Sequence, residues 1–485
     1  MSDPRAQQIE AALQAFQANP AEYMNSIPSK RDAEGQPIDG STLFSAADIS
    51  DRDYVSVRDA LRNLLYQREE ISADRAAYTA NDNAENLVDD FKHTSLAAME
   101  DAGLQTAQLG ESPWSDDYWA LYAGTLGKRY ADPDFPTSDN WQVNMQYILN
   151  NHPRTIFNSG NRSAINLLSP AEKYDALVGD TNGTLTRRMW SNGKYYFESN
   201  GAVESWMGIC HGWAPAAYML HRPQQAVTVL AANGTPVTFY PSDIKALASQ
   251  LWANVRTPTR FIGGRCNDKE PAQDSNGRIT SSQCFDTNPG TWHLAVVNQI
   301  GVSRRSLVLD ATYDYQVWNQ PLYSYDYRYF NPQDMNLAAT LAEASVTPSQ
   351  FNNDRFRQYR SSKAASMVGI AMRVGYVVET HPTHAETDSA DNDQINTVEY
   401  LYDLELDSNG RIIGGEWYNN AHPDFLWTPP EGERAVSSHD HLATGSWQQN
   451  RPVPDSWRIA AQQSSATDGA PLAAIVERLI EFARR

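Results

Sequence analysis

Apolar residues recur at three-to-four spacing in AQQIEAALQAF, DYVSVRDALRNLLYQREEI and NAENLVDDFKHTSLAAMEDAG, each with Asp or Asn near its start. This pattern predicts helices across residues 1–105. The segment WSDDYWALYAGTLGKRY, after a polar break, reads as a further, aromatic helix. From about residue 225 the period shortens to β-branched runs: AVTVLAA, Asn-Gly, TPVTFY, then HLAVVNQIG and SLVLDATYDYQVW. Asn-Gly and Gly/Ser turns between such runs are hairpin chemistry. TVEYLYDLELDSNGRIIGGEWY alternates cleanly and turns at Ser408-Asn409-Gly410. Residues 381–396 and roughly 430–470 read as loops, and APLAAIVERLIEFARR as an amphipathic C-terminal helix. The fold class is therefore α+β. It divides into a helical N-terminal region (1–105), a central domain (106–430) and a C-terminal extension (431–485).

Composition narrows the function. With 485 residues, 41% hydrophobic and 20% charged, the chain is long enough for two or three domains and too apolar to be disordered. A formal charge of −20 argues against nucleic-acid partners. No 18-residue apolar run is present, so no membrane span is expected. The first residues carry no basic-then-apolar signal, which leaves a cytoplasmic protein, a chain numbered after processing, or export without a cleaved leader. Oligomeric state is not legible.

Three cysteines add chemistry. Cys266 and Cys284 flank a turn-rich segment and are candidates for a disulfide worth roughly 3 kcal/mol in the chain-entropy model; three reduced thiols are the alternative. Cys210, in GICHGWAPAAYML, precedes a helical run, and Pro215 is tolerable only in a first turn. That places Cys210 at a helix N-terminus, where the dipole favours a thiolate and the amides suit an oxyanion. His293 begins HLAVVNQIG, read as a core strand, and Asp310 lies in the next strand, SLVLD. A carboxylate supporting an imidazole that activates a thiol is triad logic in its cysteine form. Asp314 is the competing acid, since antiparallel counting places it nearer to His293. His211 is a competing base, although neighbours on a turn point apart. Trp206, Trp213, Trp292 and Trp318 flank these positions and are candidates for the cleft wall. Glu405, Asp407, Asn409 and Glu416 nearly match a calcium loop, against flanks that alternate as strands.

The segments SPWSDDYW, SPAEKYDA, MGICHGWAPAA, the expected His293–Asp310 hairpin, VWNQP (317–321) and IIGGEWYNNAHPDFLW, in this order over roughly 110–430, resemble the oomycete transglutaminase elicitor family. The resemblance implies a papain-like or transglutaminase-like core, with Cys210, His293 and Asp310 as the matching catalytic positions. It implies isopeptide cross-linking between protein glutamine and lysine or small primary amines through a Cys thioester. No cofactor is needed for that chemistry, while calcium is possible on family grounds, as is secretion or delivery as an effector. After VWNQP the chain continues LYSYDYRYF, departing from the basic stretch associated with the elicitor peptide. A cysteine peptidase or glutamine deamidase with the same triad is the alternative, and a binding protein with a vestigial triad is the third reading.

Overall fold

The computed structural model describes residues 3–33, 35–38, 82–136, 138–264, 271–281, 284, 286–311 and 318–484. The helix expected over 53–71, Cys266 and Asp314 lie outside these residues. Twelve strands are present among the described residues. They are β1 (Thr106–Gln108), β2 (Val227–Leu230), β3 (Pro236–Phe239), β4 (Arg260–Gly263), β5 (Val308–Asp310) and β6 (Asn319–Asn331). Then follow β7 (Asn336–Ala338), β8 (Ser345–Val346), β9 (Ser366–Val378), β10 (Gln394–Leu406), β11 (Ile412–Trp417) and β12 (Phe425–Thr428). Ten of them form one sheet, ordered β11-β10-β9-β6-β5-β12-β4, with β1 and β7 on β6 and β8 on β9. Every pairing is antiparallel. The remaining two, β2 and β3, are the hairpin expected around Asn233-Gly234. The second expected hairpin is β10–β11, closed where Asp407 Oδ1 accepts the Asn409 and Arg411 amides.

Period-two alternation decides what each face of the sheet meets. Tyr325, Tyr327 and Tyr329, with Ile370, Met372, Tyr400 and Tyr402, point into one core. Phe330, Ala371 and Leu401 point the other way, onto Ile9, Leu13 and Phe16 of the N-terminal helix Pro4–Ala18. Arg5 of that helix pairs with Asp326 and Glu399 on the sheet. A third core joins helix Cys210–Met219 to helix Pro241–Asn254, the β2–β3 hairpin and helices Asp455–Thr467 and Ala473–Phe482.

Four sequence expectations are corrected. HLAVVNQIG is not a strand: His293 lies in helix Pro289–Val296, which runs on as a π-helical turn, Val297–Val302. Asn288 caps that helix by accepting the Gly290 amide, and Pro289 occupies its first position. Burial on all sides leaves it apolar all round, so no helical period shows. The aromatic segment 114–130 forms no α-helix, only the 3-10 turns Leu121–Ala123 and Thr125–Gly127, because side chains at its start bond the backbone and each other. Trp119 Nε1 donates to Asp116 at 2.9 Å and Lys128 to Asp117 at 2.8 Å. The third expected N-terminal helix is reduced to short pieces, Ala84–Asn86 and Leu96–Asp101. The presumed loop at 430–470 contains helix Asp455–Thr467, which buries Trp457, Ala460 and Ala461.

Candidate active site

The Cys210 helix starts as expected, at the cysteine, with Ile209 as N-cap. Pro215 is nevertheless in its second turn, where it offers no N–H to the His211 carbonyl four residues back. Two glycines set the depth of the helix. A Cβ on Gly208 would lie 2.3 Å from the Tyr118 carbonyl oxygen, and one on Gly212 would lie 2.2 Å from the Ser249 carbonyl oxygen. The Ile209 amide donates to that same Tyr118 oxygen at 2.7 Å. The result is a thiol 7% exposed and free of any disulfide.

The β5–β6 hairpin end closes over it. Asn319 donates its side-chain amide to Cys210 Sγ at 3.7 Å. Trp427 Nε1 holds the Asn319 carbonyl oxygen at 2.9 Å and so fixes which end of the amide faces sulfur. Asp310 is the register partner of Asn319 and accepts the Trp318 amide at 3.1 Å. The Trp318 ring packs 5.4 Å from that of Tyr118. Next to Asn319, Gln320 donates to both carboxylate oxygens of Glu379, at 2.9 and 2.8 Å.

Electrostatics run against the expected thiolate. Burial pushes the Cys210 thiol up to about 12, and the Glu379 and Asp310 charges add to this against the Asn319 hydrogen bonds. The dipole of one helix is too small to offset full desolvation. Burial also raises Glu379 to about 7, opposed by Gln320 and by the charge of Lys30. The resting pair is thus a neutral thiol beside a carboxyl group poised near neutral pH.

Cys210 and Asp310 are brought together; His293 is not with them. Its Nδ1 shares a hydrogen bond of 2.8 Å with the Tyr402 hydroxyl, and its ring lies 4.8 Å from that of Tyr327. Tyr327 is eight positions along β6 from Asn319, roughly 25 Å at strand rise. Burial depresses the imidazole to about 3. A folded pKa below the unfolded 6.5 means stability that is full above pH 6.5 and lost as pH falls. Between pH 6.5 and 5 the loss is about 2 kcal/mol. Urea midpoints at pH 7 and pH 5 should therefore differ more for the wild type than for His293→Gln.

Of the four tryptophans, Trp318 stands beside the site. Trp213 is buried behind it, donating to the Trp114 carbonyl at 2.9 Å. Trp206 bonds the Glu204 carboxylate. Trp292 packs with Tyr400 and Trp417, in the His293 core. The calcium candidates are otherwise engaged. Arg360 and the Ser361 amide hold Glu405, Arg278 holds Glu416 at 2.7 Å, and Asp407 and Asn409 make the hairpin turn. No cluster of three acidic, His or Cys side chains suited to a metal occurs among the described residues. Cys284 is disulfide-bonded.

Asn319, Gln320, Glu379 and Trp427 are the residues that sequence reading missed. Glu379 had a signal: it ends the apolar strand SMVGIAMRVGYVV as Asp310 ends SLVL. Asn319 and Gln320 lie inside VWNQP itself.

No curated protein sequence matches the chain. Its fold is similar to the crystal structure of the GP42 transglutaminase from Phytophthora sojae, with a TM-score of 0.52 at 20% identity, covering 81% of this chain and 93% of that one. Residues 86–439 match the family described as transglutaminase elicitor, well over half of the sequence. The chain belongs to the transglutaminase elicitor family.

Proposed function

We propose that this chain is a protein-glutamine γ-glutamyltransferase that carries the acyl group on Cys210. The observation behind this reading is a cysteine outside any disulfide at a helix N-terminus, held by the Asn319 amide and flanked by two buried carboxyl groups, in a member of this family. A nucleophile-bearing helix set against an antiparallel sheet also suits a papain-like core.

In the first half-reaction, Sγ bonds to the γ-carbon of a substrate glutamine and the C–N bond breaks. The thiol proton passes to a carboxylate, Glu379 in this reading, and from there to the departing nitrogen, which leaves as ammonia. Moving a proton from a thiol near 12 to an acid near 7 is uphill by several kcal/mol. The transfer is therefore expected to accompany S–C bond formation rather than precede it. In this reading the oxyanion is stabilised by the amide of Cys210, at the first position of its helix. In the second half-reaction a primary amine attacks the thioester, the C–S bond breaks, and the amine proton returns to sulfur. Burial of Cys210 favours amine over water at this step, hence transfer over deamidation or peptide hydrolysis. An oxidised Cys284 fits export to a disulfide-permissive compartment.

Incorporation of a labelled primary amine into a glutamine-rich protein tests the reading, with wild type beside Cys210→Ala and with calcium added or chelated. Label with the wild type alone is the expected result. Ammonia release or backbone cleavage without label would point to a hydrolase. No helix among the described residues is long and apolar enough to cross a membrane.

A further inference from the structure

The chain has eight lysines, and one of them reaches the thiol site from far away in sequence. Lys30 Nζ donates to the Ala311 carbonyl oxygen at 2.8 Å, one residue beyond Asp310, and its charge acts on the Glu379 carboxylate. Its backbone is held there by a tight hairpin. The Ile38 amide donates to Lys30 O at 2.9 Å, and the Asp32 amide to Gln36 O at 3.0 Å. The next residue, Arg31, is added to the sheet: its amide donates to Thr397 O at 2.9 Å and its carbonyl accepts the Thr397 amide at 2.7 Å. β10 pairs with β11 only from Tyr402 onwards, so its edge around Thr397 has room for one more strand.

A lysine docked on a sheet edge, with its ammonium bonded to a backbone carbonyl and its charge reaching a carboxylate, has the geometry of β-strand addition. Resting on the transglutaminase reading, we propose that the Ala311 carbonyl and Glu379 form the subsite for the acceptor lysine. The β10 edge at Thr397 takes the acceptor peptide's backbone, and Lys30 occupies this subsite within the same chain. A tethered occupant competes at an effective concentration in the millimolar range. Acceptors must therefore displace Lys30 before they reach the thioester.

The test uses the full chain as wild type, Lys30→Ala, Lys30→Gln and Lys30→Arg. Nα-acetyl-lysine methylamide serves as acceptor, and Cys210 is separately alkylated with iodoacetamide. Loss of the lysine should lower the acceptor KM by about tenfold, with the glutamine-donor KM unchanged and Lys30→Arg close to wild type. The acceptor should also slow Cys210 alkylation in Lys30→Ala more than in the wild type. An acceptor KM that stays at the wild-type value while label is still incorporated overturns the subsite and leaves the transferase reading standing. No incorporation by any chain, with acceptor protection of Cys210 confined to Lys30→Ala, supports the subsite and overturns the transferase reading. Absence of both effects overturns both.

Discussion

Glu379→Gln is expected to lower kcat for amine incorporation by about 10²–10⁴-fold, the range typical of a lost proton carrier, while His293→Gln retains wild-type kcat. The contrast follows from the placement of the two residues. Glu379 shares the Asn319–Gln320 end of β6 with the thiol, and its charge is the largest electrostatic influence on Cys210 after burial itself. His293 is completely buried, bonded to Tyr402 and packed on Tyr327. The glutamine at 379 keeps the size of the side chain but accepts no proton. In wild type, kcat/KM should rise as pH passes about 7, where Glu379 loses its proton. Glu379→Gln should lose that limb of the profile, a change that mere disturbance of packing does not produce. Full activity in Glu379→Gln together with loss in a well-folded His293→Gln would restore the imidazole as base and require the site to rearrange.

Lys173→Met should cost about 3–5 kcal/mol of stability, the usual penalty for leaving a buried charge unpaired. Both partners of the pair are fully buried, with Lys173 Nζ 2.7 Å from Asp243 Oδ2. Asp243 also accepts the Tyr240 amide at 2.8 Å and the Tyr130 hydroxyl at 3.0 Å, which ties it to the start of helix Pro241–Asn254. That helix lies against the Cys210 helix, so the loss should register in denaturant midpoint and in thiol accessibility together. Lys173→Met with Asp243→Asn should recover part of the loss, since the neutral amide no longer needs a counter-charge. A single mutant as stable as wild type would show that water reaches Asp243.

The elements legible in the sequence are those whose pattern comes from one buried face. The β2–β3 and β10–β11 hairpins, with their Asn-Gly turns, alternate because one side of each strand meets a core. The C-terminal helix and the start of the Cys210 helix were equally readable, the first from its period and the second from the residues before it. His293 was misread because a helix buried on every side loses its period, and HLAVVNQIG then looks like a strand. The thiol was misjudged because helix position is visible in sequence, whereas the depth set by Gly208 and Gly212 is not. Glu405 and Glu416 matched a calcium spacing, but spacing does not show that Arg360 and Arg278 are already there.

The core behind Cys210 has a consequence for biogenesis. Ile475, Val476 and Leu479 pack into it, the Gly469 carbonyl accepts the Gln250 amide at 2.8 Å, and the Ala483 carbonyl accepts the Gln224 amide at 2.9 Å. All of these leave the ribosome long after the nucleophile. A nascent chain that has exposed Cys210 still lacks one wall of its core. The packing behind the helix that presents the sulfur is completed only when residues 469–483 arrive, so synthesis itself delays the reactive centre by roughly 250 residues after the nucleophile.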